Sequence, residues 1–179
     1  TVYIDTGIYS NYTVVVTNSG TATNPIVFMG APKAGASVFR RNASANVFTL
    51  EGSHLVFRNL TVEQGNAAFS ASGRAGIIVD SCLVRNNNAG TSGGSTAWNL
   101  RRSVFAGHTA ASGVFSGGAN TYGVDQCVFW RNEAVFGSTF NLFVTNLENS
   151  VVVGGTAFLG NLPQAGDHNV FWETVIRGG

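Results

Sequence analysis

A six-residue pattern recurs along most of the chain: apolar, two residues, small or apolar, one residue, apolar. It reads Phe57-Arg-Asn-Leu-Thr-Val, Val79-Asp-Ser-Cys-Leu-Val, Leu100-Arg-Arg-Ser-Val-Phe, Val124-Asp-Gln-Cys-Val-Phe, Leu147-Glu-Asn-Ser-Val-Val and Phe171-Trp-Glu-Thr-Val-Ile. The leading positions lie 22, 21, 24, 23 and 24 residues apart. A fixed period of this length marks a solenoid, in which each repeat is one coil of chain. Leucine-rich repeats share the length but need an L-x-x-L-x-L consensus, which is absent. Period-two alternation inside each repeat predicts short strands rather than helices. Two strands flank a polar corner. A Gly- or Asn-rich turn follows, as at Gly65-Asn66, Asn86-Asn87-Asn88, Gly107-His108, Arg131-Asn132 and Gly154-Gly155. A third apolar spot comes later, led by Phe69, Phe115, Phe136 and Phe158. The fold class expected is all-β: a right-handed, single-stranded parallel β-helix with three short strands per coil and about 7–8 coils.

Stacking the coils turns the pattern into columns. Phe57, Val79, Leu100, Val124, Leu147 and Phe171 are expected to point inward. Leu60, Cys82, Ser103, Cys127, Ser150 and Thr174 form a small-residue column, and Val62, Val84, Phe105, Phe129, Val152 and Ile176 a second inward one. Cys82 and Cys127 then stand two coils apart, roughly 9–10 Å, beyond the limit of about 7 Å between Cα atoms for a disulfide. Both are expected as buried free thiols. Leu83, Val104, Val128, Val151 and Val175 form an outward apolar stripe, which marks a contact surface or lies under a local loop. Arg58, Asp80, Arg101, Asp125 and Glu148 form an outward charged column, expected as a ladder of exposed ion pairs. His54 and His168 fall at matching places, three residues before an anchor.

Composition narrows the class. Hydrophobic residues make up 44% and charged residues 11%, with 23 Gly, 13 Phe and 3 Pro. That suits a turn-rich β chain and not a helical one. A net charge of +1 gives no field to attract nucleic acid. No apolar run reaches the ~18 residues that span a bilayer. Residues 1–179 read as one β-helix domain: 1–54 the N-terminal coils, 55–179 the regular repeats. The chain opens mid-strand and closes on Gly178-Gly179, so a piece of a longer, secreted or cell-surface protein is expected. The exposed solenoid ends are then protein-contact surfaces, like the apolar stripe. Sequons stand at Asn11, Asn42 and Asn59.

The front end carries a resemblance. The segment Ser19-Gly-Thr-Ala-Thr-Asn-Pro-Ile-Val-Phe-Met-Gly-Ala-Pro32, followed by Leu50 to Gly65, resembles the opening of pectate-lyase-like β-helix proteins. It is particularly similar to chondroitinase B and alginate-lyase-type polysaccharide lyases. The resemblance covers nearly the whole chain at the level of fold, and these segments are scaffold in that family. It implies a polysaccharide or cell-surface glycan as partner. Lyases of the family abstract a proton beside a uronate carboxylate, with an Arg or Lys base and a Ca²⁺ or basic group to neutralise it.

The residues themselves supply little of that chemistry. Arg102, Arg131 and His108 are the candidates for a base, and they would have to converge in one groove. Asp80 and Asp125 are the candidates for a Ca²⁺ site, but Arg101 stands between them and the family's calcium motifs are missing. No cofactor is expected. Trp130 is predicted to point outward, and sugars stack on exposed aromatic faces; with Arg85 and Arg131 it is the glycan-binding candidate. Trp98 and Tyr122 align with Leu55 and Ile77 and belong in the core. The expected role is a scaffold, adhesin-like or glycan-binding surface without a complete catalytic site. The alternative is a polysaccharide lyase or epimerase domain acting on an acidic glycan.

Overall fold

The computed structural model describes residues 1–42, 44–111, 113–136, 143–158 and 165–176. It is a parallel β-solenoid of about seven turns, with no helix among the described residues. The first sheet stacks eight strands, from Val2–Tyr3 through Leu55–Arg58, Ile77–Asp80, Ala97–Arg101 and Thr121–Asp125 to Gly166–Asp167. The second also stacks eight, from Gly7–Ser10 through Thr61–Glu63, Leu83–Arg85, Val104–Ala106, Val128–Trp130 and Val151–Val153 to Val170–Trp172. The third sheet has a four-stranded and a three-stranded part, with a single bridge from Thr91 to Phe115 beyond the first part.

Each coil passes from the first to the second sheet through a sharp corner. Successive corners place Asn59, Ser81, Arg102, Gln126, Asn149 and His168 at φ between 50° and 57°. The corner into the third sheet places Gln64, Asn86, Gly107, Arg131, Gly154 and Glu173 at φ between 48° and 70°. Left-handed backbone costs an ordinary residue roughly 1–2 kcal/mol. Here the corner amides bond the coil that follows: Ser81 N to Arg101 O at 3.1 Å, Arg102 N to Asp125 O at 3.0 Å, Gln126 N to Glu148 O at 3.1 Å.

The expected columns hold from Phe57 to Leu147, and all five of those anchors are buried. Val62, Val84, Phe105, Phe129 and Val152 are buried in register on the second sheet. Cys82 and Cys127 are buried free thiols, and burial pushes each up to about 12. The core holds two aromatic groups. Phe39, Phe48, Phe57 and Phe69 pack with centroids 4.8–5.3 Å apart. Phe105, Phe115, Phe129 and Tyr122 form the other, with Trp98 stacked on Tyr122 at 6.3 Å.

The last coil corrects the expected register. Phe171 pairs with Val152, not below Leu147, and is partly exposed. The small column ends on Asn169, whose Oδ1 accepts from Ser150 N at 3.0 Å, and not on Thr174. Val175 and Ile176 lie in the third sheet beside Thr156 and Phe158, so the outward stripe continues into Val170. The final step on the second sheet, from Val152 to Phe171, is therefore 19 residues rather than 24. For the same reason His168 sits at the first corner, in line with Arg102 and Asn149, and shares no column with His54.

One buried polar pair tests the core. Thr91 points inward, and its Oγ1 lies 2.8 Å from Tyr122 Oη. Tyr122→Phe leaves that hydroxyl without this partner and is expected to cost about 1–3 kcal/mol. Adding Thr91→Val is expected to restore most of the loss. Urea unfolding of the two single variants and the double variant checks this, and purely additive losses would exclude the pairing.

Candidate functional site

The corner between the first two sheets gathers the strongest charges. The charged column is in register: Arg58 beside Asp80, Asp80 beside Arg101, Arg101 beside Asp125, Asp125 beside Glu148. It is not the exposed ladder expected. Asp80 is fully buried and is held by three arginines at once. Arg102 donates from Nε to Oδ1 at 2.9 Å and from Nη2 to Oδ2 at 2.7 Å. Arg58 Nε donates to Oδ2 at 3.1 Å. Arg101 Nε stands 3.4 Å from Oδ2 and supplies charge without a hydrogen bond. Sign alternation ends below, where Asp125, Glu148 and Asp167 follow one another.

Burial alone would raise the Asp80 carboxyl. Hydrogen bonds from Arg102, Ser81 and Arg58 and the field of Arg101 overcome it and hold the group below its ordinary value. Glu63 is a second such carboxylate on the outer face of the second sheet. It is 2% exposed, and Arg40 and Arg85 both bond it. Burial opposes its charge as well, and the two guanidiniums again keep it below its ordinary value.

Asp80 does not fit a calcium site, because guanidinium groups already take its oxygens. Asp125 lies two strands away with Arg101 between, and its Oδ1 accepts from Asn149 Nδ2 at 2.9 Å. Among the described residues no three His, Cys, Asp or Glu side chains stand together as a metal-binding group.

The three base candidates stand at different corners. Arg102 lies at the first corner, against Asp80. Arg131 lies at the second, its guanidinium carbon 5.4 Å from the centroid of the Trp130 ring. His108 is buried inside the second corner, with Nδ1 3.2 Å from Asn87 O and Nε2 3.2 Å from Val84 O. It occupies the place that Asn87 and Asn132 fill in neighbouring coils: Asn87 Nδ2 donates to Val62 O, and Asn132 Nδ2 to Phe105 O. His108 is thus one step of a polar ladder rather than a group facing solvent. Burial pushes it down to about 4, against the two carbonyl contacts that favour the proton.

The outer face of the second sheet carries the exposed aromatics. Register places Arg85, Ala106, Trp130, Val153 and Trp172 in one outward column. Trp130 is 45% and Trp172 62% exposed. The apolar stripe of Leu83, Val104, Val128, Val151 and Val170 runs beside it. Sequence reasoning found Trp130 but not its alignment with Trp172, because that alignment depends on the short final coil. Asn169, standing where Ser150 and Ser103 stand in earlier coils, was the available signal.

No family model matches the chain, and a search of curated proteins finds no match. Solved structures do match. An alginate lyase from Paenibacillus sp. str. FPU-7 aligns over 98% of this chain and 89% of its own, with a TM-score of 0.52 and 10% identity. A pectin methylesterase from Aspergillus niger aligns over 99% of this chain and 76% of its own, with a TM-score of 0.45 and 11% identity. At 10% identity and a TM-score of 0.52 the likeness to the alginate lyase is one of fold.

His108 gives a pH prediction. Its folded value of about 4 lies below the unfolded value near 6.5, so between these the unfolded chain binds the extra proton. Stability therefore falls as pH drops through that window, by roughly 3 kcal/mol in all. His108→Asn keeps a ladder donor and is expected to flatten the dependence between pH 6.5 and 4.5. Denaturant unfolding at the two pH values checks it; an unchanged slope would show that His108 is not the acid-sensitive group.

Proposed function

We propose that this chain is a glycan-binding β-solenoid domain of a secreted or cell-surface protein, with the outer face of the second sheet as its contact surface. One observation carries the reading: Trp130 and Trp172 stand exposed in a single outward column, with only Val153 between them. Two coils of rise separate the rings by roughly 9–10 Å. Sugar rings present apolar faces that stack on such indoles. Arg131 beside Trp130 supplies a cation towards an acidic glycan, and Arg85 stands in the same column with its guanidinium shared with Glu63. The likeness of fold to an alginate lyase is consistent with a polysaccharide partner.

Catalysis on an acidic glycan, by lyase or epimerase chemistry, is the second reading, and that same likeness of fold favours it. Against it, Arg102 and Arg131 stand at different corners, and His108 is buried among backbone carbonyls.

Titration of alginate, polygalacturonate and chondroitin sulfate into the protein tests the binding reading. Binding of at least one is expected. Trp130→Ala and Trp172→Ala are each expected to weaken it about tenfold with the melting temperature nearly unchanged. Full retention of affinity in both variants would overturn the assignment. The ultraviolet absorbance of unsaturated uronates, followed on the same three polymers, separates the two readings: its growth would establish a lyase.

A further inference from the structure

The connection between the first two sheets is long in only one of the inner coils. Between Ile26–Met29 and Ser37–Arg40 the tight corner is replaced by residues 30–36, which carry Pro32, the single lysine Lys33 and Gly35. The loop is braced by Ala36 N donating to Lys33 O at 3.1 Å and by Ala31 N donating to Ser37 Oγ at 3.0 Å. It lies over the coils that follow and forms with them a half-open cavity of about 330 Å³. This volume lies in the range of small-molecule sites.

Three features of the cavity point to one kind of ligand. Its floor is apolar, made by the half-buried Leu83 and Val104 of the outward stripe, with Pro32 and Ala34 opposite. Arg102 lines it too; its side chain is half exposed, and its bonds to Asp80 use Nε and Nη2 but not Nη1. Around that corner three guanidiniums face the Asp80 carboxylate, with Asp125 one strand further on beside Arg101, so the charge turned towards the cavity is the Arg102 guanidinium. Thr61 lines the same cavity, 1% exposed, and its Oγ1 has no hydrogen-bond partner among the described residues. A buried hydroxyl left so costs about 1–3 kcal/mol, and a ligand oxygen would supply the partner.

We infer that the cavity beneath residues 30–36 is a binding site for a carboxylate carried on an apolar body, with Arg102 taking the carboxylate, Leu83 and Val104 the body, and Thr61 an oxygen. Two sources carry such a carboxylate: a small hydrophobic acid, whose whole body matches the floor, and the uronate end of an acidic sugar chain, which offers the floor one C–H face of its ring. The site is separate from the tryptophan column and does not depend on it.

Calorimetric titration with digalacturonate and with 3-phenylpropionate tests the inference, with 3-phenylpropanamide as the uncharged control. Saturable one-to-one binding of at least one acid is expected, about tenfold or more tighter than the amide. The acid that binds identifies the source. Thr61→Val removes the hydroxyl but keeps the shape; it is expected to raise the melting temperature and weaken the acid about fivefold or more. Leu83→Trp fills the cavity from the sheet side and is expected to abolish binding while the circular dichroism stays unchanged. Trp130→Ala is expected to leave this binding intact, so failure here is distinguishable from failure of the glycan surface. Absence of binding by both acids, equal binding of acid and amide, or undiminished binding in Leu83→Trp would each overturn the site.

Discussion

A coil of this protein has no interior of its own. Its inward side chains leave water only because the coils above and below lie about 4.8 Å away, and everything else follows from keeping those coils in register. The backbone ladders of three sheets set the rise. Side chains at the corners stop the coils from slipping: Ser103 Oγ accepts from Cys82 N, Ser150 Oγ from Cys127 N, and Asn87 Oδ1 from Gly65 N. A slip of one residue would turn the buried Phe105 and Phe129 out to solvent and bring Val104 and Val128 in.

The same constraint explains where charge can be buried. A carboxylate on an outward column has neighbours on the coils to either side, and both can be cations. Asp80 and Glu63 each use this arrangement. Such clamps are weak evidence for net stability. They fix the positions of Arg102 and Arg85, however, and those arginines stand at the edges of the two surfaces proposed here for ligands.

Much of this was legible in the sequence, and the exceptions have physical causes. The columns from Phe57 to Leu147 follow from spacing alone, because inward burial imposes the same residue classes on every coil. Phe171-Trp-Glu-Thr-Val-Ile repeats the pattern by coincidence, and the true register is set by Asn169, a corner residue with side-chain bonds to both Ser150 N and Leu147 O. Hydrophobic spacing carries no information about such bonds. Ser81, Gln126 and Glu173 gave no sign of left-handed backbone, since neither glycine nor asparagine occupies those places. The burial of Asp80 was hidden for another reason: Arg102 follows Arg101 directly, and only a sharp corner lets both reach the same carboxylate. The cavity depends on residues 30–36 folding over coils dozens of residues further on, which no local pattern records.

The cavity and the tryptophans lie on one flank of the tube, and the ladder divides the distance between them into equal steps. Inserting a whole coil between Val104 and Val128, which now lie on neighbouring strands, would lengthen that gap by a single step of about 4.8 Å while leaving both ends chemically intact. The flank is in this sense a ruler graduated in coils. A lineage gaining such units would retune the span of a polymer held at both marks without redesigning either grip.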